Sequence, residues 1–197
     1  TVALGTTTLN VGGAGNTTIS GAISGASGSG ITKDGTGTLA LGSANTFAGS
    51  VLVSAGTVLA NAANVFNSAN PLTVNTGSIL NLNDFNQTIA AITNNGTLAL
   101  GAGTGDTLTL TSGSSLLGGA LTGAGTIIVG PGASLTLAAN FTNPDVNIVL
   151  NGGSLFLNGT SGSFGSLSIT GNSILDFGNS ANSTLNSTNL SLGAGIT

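Results

Sequence analysis

The amino-acid sequence predicts an all-β protein, a β-solenoid in which short parallel strands stack coil upon coil. Three observations predict this fold: a glycine-led strand motif that recurs along the chain, a triplet that returns at a fixed interval, and a near absence of charge. The recurrence indicates about 19–20 residues per coil and roughly ten coils. We expect one domain, residues 1–197, with residues 1–30 and 178–197 less regular than the rest.

The recurring motif is a glycine, one or two small polar residues, and then apolar residues in alternate positions. Such alternation is typical of a strand with one buried face, and glycine and asparagine favour the turns between strands. Each strand would hold about 4–6 residues, so that a coil accommodates two or three of them. The motif occurs, among other places, at 37–41, 56–59, 96–100, 132–137 and 153–157.

A triplet of the form Asn-x-Phe occurs three times, and each copy lies 19 residues after the previous one. Equal spacing places the copies above one another in successive coils. Stacked asparagines form hydrogen-bonded ladders, and the phenylalanine two positions on belongs to an alternating strand pattern. We therefore predict a structural ladder in which corner asparagines lie beside a buried phenylalanine stack: Asn45, Phe47, Asn64, Phe66, Asn83 and Phe85.

Charged residues make up 3% of the chain, with one lysine, five acidic residues and a net charge of −4. An ordinary soluble domain contains about 25% charged residues. Stacked coils explain the difference, because a charge at a repeated position would face a like charge in the next coil. Disordered chains combine low hydrophobicity with high charge, so the 40% apolar content here indicates a folded chain.

The residue types present argue against catalysis, and we expect that the protein is not an enzyme. Nucleophilic triads and zinc sites rely on histidine or cysteine, and the chain has neither. Glycosidases need two neighbouring carboxylates. Asp84 and Asp106 are 22 residues apart and can stack on one face, but no histidine, arginine or tyrosine accompanies them. No catalytic, metal-binding or cofactor-binding residue is predicted.

The charge pattern also limits the partners. Nucleic-acid binding uses clustered lysine and arginine, so a chain with one lysine predicts no nucleic-acid partner. A membrane-spanning helix needs about 18 consecutive apolar residues, and the shorter apolar runs here predict no membrane-spanning segment. Lys33 and Asp34 form a pair of opposite charges that is predicted to lie in a solvated loop.

The stretch 31–58, ITKDGTGTLALGSANTFAGSVLVSAGTV, resembles the autotransporter-associated β-strand repeat. The resemblance covers about one repeat unit closely, with weaker similarity as far as Gly171. It implies a secreted passenger region, folded as a right-handed parallel β-helix, from a Gram-negative-type bacterium. Passengers of this kind are often adhesins or surface structures. Phe47 stands where the family usually has tyrosine.

Two functions fit these features, and both place the protein outside a cell or at its surface. The leading hypothesis is a structural protein whose copies stack head to tail into a filament or sheath. Its basis is that the end coils of a solenoid present unpaired strand edges, which template further pairing. The alternative is a monomeric adhesin whose lateral face binds a host surface or a polysaccharide.

Overall fold

The structure is a computed structural model that describes residues 1–179 and 182–194. The regular structure of these residues is entirely β, which confirms the predicted fold class. None of the described stretches is a helix long and apolar enough to cross a membrane. In chain order the strands are β1 (Val2–Ala3), β2 (Thr8–Val11), β3 (Thr17–Ile19), β4 (Ile23–Ser24), β5 (Gly30–Lys33), β6 (Thr38–Leu41), β7 (Val51–Val53), β8 (Thr57–Ala60), β9 (Pro71–Val74), β10 (Ile79–Asn81), β11 (Gln87–Ile89), β12 (Ala91–Asn94), β13 (Thr97–Ala99), β14 (Thr107–Leu110), β15 (Gly113–Leu117), β16 (Ala120–Thr122), β17 (Gly125–Val129), β18 (Ala133–Leu137), β19 (Phe141–Asn143), β20 (Val146–Leu150), β21 (Ser154–Phe156), β22 (Ser161–Ile169), β23 (Ile174–Asp176) and β24 (Thr184–Leu192).

The strands form three parallel sheets along the solenoid, together with a short parallel pair made by β1 and β4. Sheet 1 has nine strands in the order β2-β5-β7-β9-β12-β15-β18-β21-β23. Sheet 2 has six strands in the order β3-β6-β8-β10-β13-β16. Sheet 3 has seven, in the order β11-β14-β17-β20-β22-β19, with β24 also paired to β22. Strands therefore pair with their counterparts in the preceding and following coils, which is the stacking of a β-solenoid.

The strand register gives the length of each coil. Paired residues lie from 18 positions apart, as for Ile79 and Thr97, to 23 positions apart, as for Thr93 and Leu116. The stack has about nine turns. Many coils are longer than the expected length of about 19–20 residues. The same chain therefore forms about nine turns and not ten.

The core consists of apolar columns to which successive coils contribute one residue each. One such column in sheet 2 follows the register of its strands, and its members are at most 6% exposed. Burying a side chain of this size stabilises the fold by about 1.5–3 kcal/mol. The alternation that predicts strands therefore also builds the core. The column comprises Leu39, Val58, Leu80, Leu98 and Leu121.

Candidate functional site

The face of the solenoid that carries sheet 3 is interrupted early in the chain. Residues 44–48 and 61–70, which lie on this third face, form no strand. The side chain of Asn45 bridges the coils at this point. Its Oδ1 accepts a hydrogen bond from the Ile23 N–H at 2.7 Å, and its Nδ2 donates to the Val65 carbonyl at 2.6 Å. A carboxamide offers the same donor and acceptor as a peptide group. Asn45 therefore replaces a rung of the missing strand pairing.

The three asparagines of the predicted ladder occupy different environments. Asn45 is buried, whereas Asn64 and Asn83 are exposed corner residues. Each of these two has a φ of 52°, a left-handed conformation that asparagine adopts more readily than most residues. The Asn83 Nδ2 donates to the Asn61 Oδ1 at 3.3 Å, which is a surface bond between neighbouring coils.

The three phenylalanines of the triplets differ in burial. Phe47 is 0% exposed and Phe66 is 1% exposed, so both rings belong to the core. Phe85 is half-buried. The structure brings part of the predicted ladder, namely Asn45, Asn64 and Phe66, to the wall of one groove.

Further buried amides make the same kind of bond between coils, and sequence reasoning missed them. The Asn70 Nδ2 donates to the carbonyls of Phe47 and Gly49 at 3.0 and 2.6 Å. The Asn143 Nδ2 donates to two carbonyls of the preceding coil at 3.2 and 3.0 Å. Both asparagines directly precede a proline, a signal that could have found them. The buried amides outside the triplets are Asn70, Gln87, Asn94 and Asn143.

A lateral groove with a volume of about 340 Å³ lies at the interruption of the third face. Phe66 and Asn45 contribute from the buried side of the groove. Thr88, the middle residue of β11, is half-buried between two buried neighbours and also lines the groove. The lining residues are Ala44, Asn45, Asn64, Phe66, Asn67, Ser68 and Thr88.

The loop that forms one wall of the groove is fixed by its own hydrogen bonds. The Asn67 N–H donates to the Asn70 Oδ1 at 2.7 Å, and the Ala69 N–H donates to the Asn67 Oδ1 at 3.0 Å. The Thr111 hydroxyl lies 3.1 Å from the Ser68 carbonyl, although the two residues are 43 positions apart. The loop therefore reaches across one whole coil to touch the next.

The aspartates that the sequence allows on one face do meet there. Residues 101–106 close around the Asp84 carboxylate, and the Gly103 N–H donates to its Oδ1 at 2.7 Å. This bond, together with one from Ala102, holds the pKa of Asp84 below its usual value. A Cβ atom at Gly101 would lie 2.0 Å from the same oxygen. The loop of residues 101–106 therefore binds the Asp84 carboxylate, and the absence of a side chain at Gly101 leaves room for it.

Asp106 lies beside Asp84 and experiences the opposite effect. Burial, followed by the hydrogen bond to Asp84 and the repulsion of its charge, raises the pKa of Asp106 above its usual value. A raised folded-state pKa means that the folded protein holds the proton more tightly than the unfolded chain. Ionisation of Asp106 therefore lowers the free energy of unfolding as the pH rises. The loss begins at the pKa of an unfolded aspartate and is complete above the raised pKa of Asp106 in the folded protein.

The substitution Asp106→Asn should remove this loss of stability. We expect the variant to be at least as stable as the wild type at neutral pH, because its carboxamide can donate to Asp84 without a second charge. The advantage should develop from about pH 3.9 upward, where an unfolded aspartate loses its proton. Thermal melts followed by circular dichroism between pH 3 and 7 measure it. A variant that is less stable than the wild type at neutral pH would contradict the assigned repulsion.

The prediction that Lys33 lies in a solvated loop is wrong. Lys33 is 0% exposed and stands in register between Val11 and Val53, so that its aliphatic stem continues an inward column of sheet 1. Its Nζ donates to the Gly35 carbonyl at 2.7 Å and lies 3.4 Å from the Ala55 carbonyl. Asp34, the next residue, is exposed. The alternation of β5 directs the lysine inward and the aspartate outward.

One stretch of the chain, which contains Lys33, Asn45 and Phe47, is similar to a known family. Residues 31–60 match the passenger-associated-transport-repeat family. This confirms the resemblance to the autotransporter-associated repeat. The passenger-associated-transport-repeat covers most of β5 and all of β6, β7 and β8. It indicates a passenger-type domain of the autotransporter kind. No curated protein and no solved structure matches the chain.

The buried lysine of the repeat makes trypsin a probe of its unfolding. The chain has one lysine or arginine in total, and that residue is inaccessible in the folded repeat. We expect the folded protein to resist trypsin and to be cut only as denaturant opens the coil, in proportion to the open population. Ala14→Lys, in an exposed bend, is the control and should be cut without denaturant. Equal cleavage of both proteins in buffer would show that Lys33 is accessible.

Proposed function

We propose that the protein is an extracellular structural protein of a Gram-negative-type bacterial surface, and that its copies stack end to end into a filament. The observation that carries the proposal is an uncovered apolar row on β24. Leu190 and Leu192 are 60% and 63% exposed. These residues are unusual in a chain whose other leucines mostly line the core.

The register shows why these leucines are exposed. Leu190 pairs with Leu167, which is 2% exposed, and Leu167 pairs with the fully buried Ile148. Leu190 therefore continues a core column of the stack, and within the described part of the chain no further coil covers it. A partner that buries Leu190 would need a surface with the same cross-section as a solenoid coil.

The strand edges favour a second copy as that partner. β24 is nine residues long, and within the described part of the chain it pairs with β22 alone. A long, uncharged edge that carries exposed leucines is a template for pairing with another strand. The first coil offers the complementary edge through β1, β2 and β3, which hold the half-buried residues Val2, Leu9 and Ile19. Repetition of one heterologous contact yields an open filament.

The test compares the wild type with the double variant Leu190→Asn and Leu192→Asn. We expect the wild type to form fibres with a repeat of about 4.8 Å along the axis, visible by cryo-electron microscopy. The double variant should sediment as a monomer with an unchanged melting temperature. Ile79→Asn is the matched control, since Ile79 is 38% exposed on a lateral face, and it should assemble normally. A monomeric wild type at millimolar concentration, or fibres from the double variant, would overturn the proposal.

The lateral groove supports a second candidate function, adhesion through the side of the solenoid. The groove at Asn64 and Thr88 belongs to the lateral surface and stays free when coils stack at the ends. Cryo-electron microscopy of cell surfaces distinguishes the two functions. Continuous fibres favour the structural role, whereas single rods attached to an outer membrane favour the adhesin. Neither function involves catalysis.

A further inference from the structure

The lateral groove contains hydrogen-bonding groups that the fold itself does not use. No hydrogen bond joins the Asn64 carboxamide or the Thr88 hydroxyl to another of the described residues. The Ser68 hydroxyl has only a long bond of 3.5 Å to the Asn67 Oδ1. None of the residues that line the groove is charged. A ligand for this groove would therefore be neutral and rich in hydroxyl groups.

We propose that the groove binds one sugar residue of a neutral oligosaccharide. The Asn64 carboxamide provides a donor and an acceptor together, and the hydroxyls of Thr88 and Ser68 can each donate or accept. This combination matches adjacent sugar hydroxyls, which also donate and accept. The groove volume of about 340 Å³ is at the lower end of the range for ligand sites, about 300–1,000 Å³. It suits a single ring better than a peptide segment.

The groove is organised before any ligand arrives. Asn45 is locked by bonds to two coils, and Phe66 is held in the core. The wall formed by Ser68 is tied to Thr111 in a later coil. Binding to such a site orders few protein groups, which lowers its entropic cost. Asn64 keeps its position because its N–H donates to the Asn86 carbonyl at 2.9 Å.

This inference deepens the adhesin function and is independent of end-to-end assembly. Asn64 and Thr88 lie in early coils, whereas Leu190 and Leu192 lie in the last described strand. Loss of sugar binding therefore leaves filament formation intact, and loss of filaments leaves sugar binding intact. The two proposals fail separately.

The experiment is a nuclear magnetic resonance titration of the ¹⁵N-labelled full chain. The probes are maltotriose, cellotriose, mannotriose and galactotriose, with trigalacturonate as a charged comparison. We expect at least one neutral trisaccharide to cause saturable shifts of the Asn64 side-chain amide and of the Ser68 and Thr88 backbone amides. Trigalacturonate should cause none, because the groove has no basic side chain.

Paired variants test the assigned residues. Asn64→Gly keeps the left-handed backbone and removes the amide, and Thr88→Val removes the hydroxyl while keeping the shape. Together they should weaken binding at least about tenfold, the loss expected for two or more hydrogen bonds. Thr109→Val is the matched control, because Thr109 pairs with Thr88 in the next coil, and it should bind as the wild type does. The proposal is overturned by unsaturable shifts with all four neutral sugars, by binding of trigalacturonate alone, or by unchanged binding in the double variant.

Discussion

Replacing Asn45 by leucine should destabilise the solenoid by about 2–6 kcal/mol, because two buried backbone groups lose their partners at once. The Ile23 N–H and the Val65 carbonyl both bond to the Asn45 carboxamide, and each unsatisfied buried group costs about 1–3 kcal/mol. Leucine keeps the branching at Cγ and the number of side-chain heavy atoms, so the loss is expected mainly from the two hydrogen bonds that it cannot make. Urea unfolding followed by far-ultraviolet circular dichroism measures it.

The matched control comes from another copy of the Asn-x-Phe triplet. Asn83→Gly removes an exposed side chain and retains the left-handed backbone. Its effect should remain within about 0.5 kcal/mol, as for most surface substitutions. Equal losses at Asn45 and Asn83 would show that the triplet asparagines act as one ladder. A large loss at Asn45 alone would show that burial between coils decides their contribution.

Replacing Gly49 by alanine should cost about 3 kcal/mol or more, at the upper end of the penalty for overpacking. A Cβ atom at this position would lie 1.4 Å from the Ser29 carbonyl oxygen of the preceding coil. The obstacle is backbone, so no side-chain rotation relieves it. The two coils would have to separate, which would also disturb the bond from Asn70 to the Gly49 carbonyl.

Gly105→Ala provides the comparison for that substitution. A Cβ atom at Gly105 meets nothing within 4 Å. Alanine there should be neutral or should stabilise by about 0.4–1 kcal/mol, through lower entropy of the unfolded chain. Thermal melts of both variants suffice. Similar melting temperatures would mean that the coils at Ser29 and Gly49 tolerate separation and that their contact is not tight.

Several features of the fold could be predicted because they depend on repetition along the chain. Alternating apolar residues after glycine specify strands with one buried side, and columns such as Leu39 to Leu121 follow from stacking them. The scarcity of charge follows from the same stacking, since like residues lie above one another. The resemblance of residues 31–58 to a known repeat was also visible in the sequence, and residues 31–60 match that family.

The candidate site was only partly predictable. Asn45, Asn64 and Phe66 were selected for their spacing, and they do line the groove. Ser68 and Thr88 were not selected, because they join the groove through a loop and a neighbouring strand that follow no periodic rule. The inward position of Lys33 was also missed, since a lysine normally predicts a solvated side chain.

The strand period, the parallel stacking and the apolar columns could all be predicted before the fold was known, because each arises from a local pattern repeated at nearly constant intervals. Tertiary structure alone decided which amides are buried. Asn45 and Asn83 each begin an Asn-x-Phe triplet, yet one bonds across two coils and the other faces solvent. The physical reason is that coil lengths vary between 18 and 23 residues. A shift of a few residues at a corner moves a side chain from the core to the surface, and only the assembled stack specifies that shift.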